Sequence, residues 1–102
     1  MTTIGQIIRT NRKKSGLRLR EISNLLGVDV SFVSKVETGD KRPTKSQVLK
    51  IGQIFDLDIK ELMIAFLSDR LVYEIRNEDF ASEALKVAES KIEYLKKSNR
   101  IF

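Results

Sequence analysis

Read in order, the apolar residues of this chain recur at spacings of three and four and never alternate for long, a rhythm that predicts helices throughout and no convincing strand. The first helix opens at Thr3. Thr3 and Gln6 stand in the capping-box relation, each side chain satisfying a free donor of the other's backbone, and Ile4, Ile7 and Ile8 mark the buried face. This helix ends near Ser15 and Gly16. Ile22 and Leu26 share one face of a short second helix, and Gly27 follows where a chain leaving a helix commonly turns left-handed, a conformation open to glycine without steric cost. Ser23 is small where the second and third helices must cross closely. Val28 then enters the core, Asp29 is placed to accept from the free N–H groups of the third helix, and Val33 and Val36 repeat at helical spacing. Val30, Ser31, Ser34 and Lys35 are left on its open face, while Phe32 reads as packing. Residues 39–43, GDKRP, form a turn, and Thr44 with Gln47 repeats the capping box ahead of a fourth helix whose Val48, Ile51 and Phe55 face inward. Asp58 and Glu61 give a fifth short helix an acidic start, and its Leu62, Met63 and Phe66 close the core.

The pattern changes further on. Asn77, Glu78 and Asp79 make a polar joint, and residues 80–98 are strongly helical, rich in Ala, Glu, Lys and Leu. Ala81, Leu85, Ala88, Ile92 and Leu95 fall at alternating spacings of four and three, a heptad seam shorter than a secure coiled coil needs. It fits a dimerisation seam and an amphipathic helix packed on its own domain equally well. Glu93 and Lys97 lie one turn apart and support that helix slightly. Leu25 either lies beneath the C-terminal segment or is simply an exposed apolar residue.

Composition narrows the chemistry. The chain has neither Cys nor His, which excludes disulfides, thiol nucleophiles, imidazole bases and Cys/His zinc sites; no metal and no cofactor are implied. The opening MTTIGQIIRTNRKK lacks the apolar core of a secretory signal, and no apolar run reaches membrane-spanning length, so a soluble, cytoplasmic protein is expected. At 102 residues there is room for one small domain plus an accessory helix, not for a separate metabolite-binding domain. Charge is uneven. Residues 1–45 hold ten Lys or Arg against four Asp or Glu, a net of +6; residues 46–75 sum to −2 and residues 76–102 to +1. The basic excess thus coincides with the helix, glycine turn and helix, and favours a phosphate-bearing partner.

Arg12, Gly16-Leu17, Glu21-Ile22, Leu26-Gly27-Val28, Val33-Ser34, Val36-Glu37, Gly39 and Pro43 agree together with one pattern. Over residues 4–62 the chain resembles the Cro and lambda-repressor-like, or XRE-like, helix-turn-helix regulators. The resemblance implies an all-α, five-helix lambda-repressor-like DNA-binding domain over residues 1–67, with an additional C-terminal helix in an extension over 68–102. It implies a structural ion pair between Arg12 and Glu37. It also implies a sequence-specific transcriptional regulator of double-stranded DNA, most often a repressor, with the third helix in the major groove of a pseudo-palindromic operator bound by a homodimer. On that mapping Val30, Ser31, Ser34 and Lys35 face bases, and Arg18, Lys41, Arg42 and Lys45 contact phosphates. Three positions depart from the family: Arg18 and Leu19 stand where Ser or Thr and then Gln are common, and Asp29 replaces the usual serine. Leu19, Leu25 and Asp29 favour the alternative, a helical protein-interaction module that retains the fold. An enzyme is not expected, because the carboxylates are explained as surface, cap or ion-pair groups.

Overall fold

The computed structural model describes residues 2–98, and among them every regular element is a helix: α1 (Ile4–Lys14), α2 (Leu19–Leu26), α3 (Val30–Thr38), α4 (Lys45–Phe55), α5 (Ile59–Ile75) and α6 (Ala81–Ser98). Position 1 and positions 99–102, within the two expected regions, lie outside the described residues. The chain divides into two compact units, Met1–Leu71 and Val72–Phe102.

Local chemistry accounts for the helix ends in the first unit. Thr3 Oγ1 accepts from Gln6 N–H at 3.2 Å while Gln6 Oε1 accepts from Thr3 N–H at 3.1 Å. The same reciprocal pair opens α4, at 3.1 Å from Gln47 N–H to Thr44 Oγ1 and 2.9 Å from Thr44 N–H to Gln47 Oε1. Gly27 ends α2 at φ 70°, ψ 36°, and this left-handed turn lets Val28 N–H donate to the carbonyl of Ser23 at 3.0 Å. Asp29 behaves differently from the sequence reading. Its side chain makes no cap bond; the backbone carbonyl of Asp29 takes the N–H groups of Phe32 and Val33 instead, at 3.1 and 3.4 Å. With that role filled by the main chain, the exposed carboxylate keeps its hydration.

The core is built from Ile4 and Ile8 of α1, Ile22 of α2, Val33 and Val36 of α3, Val48 and Ile51 of α4, and Leu62, Ala65 and Phe66 of α5. α3 packs against both α1 and α2, and α4 closes on the same two helices. Ile7, Leu26, Val28, Phe55 and Met63 border this core at partial burial. α5 is longer than the short helix expected, running through Leu67 to Ile75. Residues 67–75 hold neither Gly nor Pro to stop it, and Asp69 Oδ2 accepts from Ile4 N–H at 2.8 Å, tying that added stretch to the start of α1.

In the second unit the turn before α6 carries Phe80 at φ 66°, a left-handed conformation uncommon outside glycine. No residue of α6 is buried: Leu85 and Ile92 are exposed, and Ala81, Ala88 and Leu95 are half-covered. Among the described residues no helix is long and apolar enough to cross a membrane.

Candidate nucleic-acid interface

α3 has nine residues, too few to be a stable helix in isolation, so its position is set by what holds it. Val33 and Val36 bury one side. The other support is α1. Arg12 donates from Nε to Glu37 Oε2 at 2.6 Å and from Nη2 to Glu37 Oε1 at 3.0 Å, a bidentate pair whose third anchor is Nη1 to the carbonyl of Leu17 at 3.1 Å. The side chains are 14% and 5% exposed. Hydrogen bonding to Glu37, helped by its charge and opposed by burial, raises the Arg12 pKa above its ordinary value, so the guanidinium is charged at any working pH.

Gly5 is the second grip of α1 on α3. A Cβ built there would collide with the carbonyl oxygen of Val36 and stand 2.8 Å from that of Glu37, so only a residue without a side chain lets the backbones approach this closely. Sequence reading passed over Gly5. The signal was there, a glycine one residue into a capped helix where propensity argues against it, but its reason lies on another element. Ser23 is buried at the crossing of α2 and α3, its hydroxyl donating to the carbonyl of Arg20 at 2.8 Å.

So held, α3 leaves Ser31 and Lys35 exposed and Val30 39% exposed. Ser34 is half-buried on the flank it shares with Glu37, less open than the spacing suggested. The basic side chains assigned to phosphates come from three segments of the chain. Arg18 is the residue before α2; its N–H donates to Glu21 Oε1 at 3.0 Å, and its exposed guanidinium, which has no acceptor atom, makes no cap bond. Lys41 and Arg42 lie in the loop after α3, and Lys45 is the first residue of α4; all are exposed. That loop is pinned to the end of α3, because Gly39 at φ 89° turns the chain so that Asp40 and Lys41 donate N–H bonds to the carbonyl of Lys35 at 2.8 and 3.1 Å. A helix that exposes small, apolar and cationic side chains, in a segment of the chain rich in exposed arginine and lysine, suits a polyanion. Of the residues that pointed to a protein partner, Leu19 packs at the edge of the core, whereas Leu25 is exposed. Phe32 also packs against the core.

Comparison with known proteins bears on the same residues. The family model described as helix-turn-helix matches residues 8–62. The chain is similar to the HTH-type transcriptional regulator SlrR of Bacillus subtilis (strain 168), 31% identical over 72 residues, which are 70% of this chain and 45% of SlrR. It therefore spans less than half the length of that relative. Among solved structures it is similar in fold to the clp gene regulator ClgR of Corynebacterium glutamicum, with a TM-score of 0.55, 20% identity, 93% of this chain and 88% of that one. It is also similar to a chain of the SinR protein/SinI protein complex, with a TM-score of 0.52, 20% identity and coverage of 93% and 99%.

Proposed function

The chain belongs to the helix-turn-helix family of transcriptional regulators, and from that premise we propose that it binds double-stranded DNA sequence-specifically and represses transcription as a homodimer, with α3 in the major groove. The observation that carries the proposal is α3 itself: clamped to α1 by the Arg12–Glu37 pair, it holds Val30, Ser31 and Lys35 away from the core. An α-helix fits the major groove, where each base pair shows a distinct set of donors, acceptors and methyl groups. Val30 packs on a thymine methyl, Ser31 bonds to base edges, and Lys35 favours guanine acceptors; Ser34 contributes from the flank. Arg18, Lys41, Arg42 and Lys45 hold phosphates and set the register without reading sequence. The carboxylate of Asp29 stands close to that backbone and lowers affinity slightly.

A body of this size, residues 1–67, reads only a few base pairs. Two copies on half-sites about one helical turn, ~34 Å, apart supply the rest. The extension over 68–102, through Ala81, Leu85, Ala88, Ile92 and Leu95, helps to join them. Selection of bound sequences from a random duplex pool tests specificity, symmetry and half-site spacing together. Recovery of a pseudo-palindrome supports the proposal; binding without any enriched sequence, or binding insensitive to added salt, refutes it. Sedimentation that finds only monomer at micromolar concentration removes the homodimer.

A further inference from the structure

An open groove of about 470 Å³ is lined by α1 and by the start of α5, and every residue along it belongs to the first unit. That volume suits a small molecule. Ile7 and Asn11 stand one turn apart on the α1 side, Glu61, Ala65 and Ser68 follow at spacings of four and three on the α5 side, and Leu57 adds apolar surface. The polar groups are mostly acceptors. Asn11 Nδ2 donates to the carbonyl of Ile7 at 2.8 Å, which leaves the amide oxygen to accept, and Ser68 gives its hydroxyl proton to the carbonyl of Ala65 at 3.1 Å. The second N–H of Asn11 and the Thr2 hydroxyl are the neutral side-chain donors that remain. Asp58 takes the backbone N–H of Lys60 on Oδ1 at 2.9 Å and keeps Oδ2, while the carboxylate of Glu61 has no partner among the described residues. No Lys or Arg lines the groove.

We propose that this groove binds a small organic cation, an ammonium or amidinium group carried on an apolar body. Charge complementarity chooses the occupant: two carboxylates turn an anion away, and a neutral apolar molecule leaves them unmatched. The cation supplies the donors that the groove lacks. Its N–H groups meet Asp58, Glu61 and the oxygens of Asn11 and Ser68, while Ile7, Leu57 and Ala65 cover its body. Helix capping accounts for one oxygen of Asp58, and the dipole of α5 favours Glu61 in its first turn, yet neither provides a countercharge. Both carboxylates are exposed, so each adds a modest attraction that salt screens, and the apolar walls supply the rest. A ligand of about nine heavy atoms therefore binds weakly, with a Kd on the order of 1 mM. The inference does not rest on DNA binding, and its test contains no DNA.

Phenethylammonium is the probe, and phenylacetate, the same ring on an anionic arm, is the control. Titration of the isotopically labelled full chain, followed by the NMR shifts of its backbone amides, is expected to give saturable changes at Ile7, Asn11, Glu61 and Ser68. Phenylacetate is expected to bind at least about fivefold more weakly. Asp58→Asn combined with Glu61→Gln should weaken the cation about three- to tenfold and bring the two probes to equal affinity. Ser68→Phe, which fills the groove from an exposed position, should weaken both probes while helical content by circular dichroism stays unchanged. Shifts that do not saturate or that fall outside the groove, equal binding of the two probes by the wild-type chain, or a double variant that holds the cation as tightly as the wild type, overturns the proposal.

Discussion

Removing the Arg12 side chain while leaving Glu37 in place is the sharpest test of how α3 is held. Arg12→Leu deletes two hydrogen bonds to the Glu37 carboxylate and a third to the Leu17 carbonyl, at 2.6, 3.0 and 3.1 Å. The cost comes less from those bonds than from what remains, a carboxylate on a side chain only 5% exposed with its cation gone. An uncompensated charge at such a site costs about 3–5 kcal/mol. That is a large part of the roughly 5–15 kcal/mol that stabilises a small domain. In a domain of this size each kcal/mol moves the melting temperature by about 4–8 °C, so a fall of at least about 12 °C is expected. The decisive variant is the double, Arg12→Leu with Glu37→Leu, which loses the bonds but buries no orphaned charge. Its stability should lie nearer to wild type than that of Arg12→Leu. Urea unfolding followed by circular dichroism gives all the values in one series. If Arg12→Leu costs under about 1 kcal/mol, or the double costs the sum of the two singles, the pair does not act as a buried unit and the reasoning fails. The sign with pH is also fixed. Arg12 has a raised pKa in the folded state, so its contribution is complete below the ordinary arginine pKa and fades only as pH rises through the folded value. Between neutral and moderately alkaline pH, the Arg12 contribution should stay flat.

Three further outcomes follow from single contacts. Gly5→Ala gains about 1 kcal/mol of helix propensity, yet it drives a methyl into the Val36 and Glu37 carbonyls; a net loss of about 1–3 kcal/mol in urea unfolding is expected, and a stabilised variant would refute the close crossing. Asp69→Ala leaves Ile4 N–H without its acceptor and should cost about 1–2 kcal/mol, whereas Asp69→Asn, which keeps an oxygen there, should recover most of it. Lys35→Ala should relax preference at one base position while Lys45→Ala weakens all duplexes alike; equal profiles across a binding-site library would overturn the division into base and phosphate contacts.

What the sequence discloses here is the short-range part of the physics. Capping boxes at Thr3 and Thr44 work over three residues, and the turn at Gly27 depends on one backbone conformation, so both are written locally and both stand in the fold. Asp29 shows the limit even at short range: the residue type fits a cap, but the main-chain carbonyl already accepts the N–H groups and the carboxylate stays out. Contacts between distant segments are harder to read. Asp69 and Ile4 are 65 residues apart, and the carbonyls that require Gly5 belong to a helix that begins 25 residues later. Nothing in the neighbourhood of either residue indicates its partner. Ser34 is a third case, since spacing assigns it to the open face while its real cover depends on how α3 is rotated against α1.

The two grips of α1 are not placed evenly along α3. Gly5 meets the carbonyls of Val36 and Glu37, and Arg12 holds the Glu37 carboxylate, so both act on the last third of a helix that ends at Thr38. Gly5 and Arg12 are seven residues apart on α1, about two helical turns, so both stand on the same face of that helix. The loop bearing Lys41 is tied to the same end through the Lys35 carbonyl. α3 is therefore clamped near its C-terminus, where rotation would be costly, and its first turn, with Val30 and Ser31, extends from the clamp. An error in the clamp is magnified at that far end. A change at Gly5 or Arg12 small enough to spare the fold should thus shift base preference at the positions read by Val30 and Ser31 more than at the position read by Lys35, although neither residue comes near the proposed DNA face.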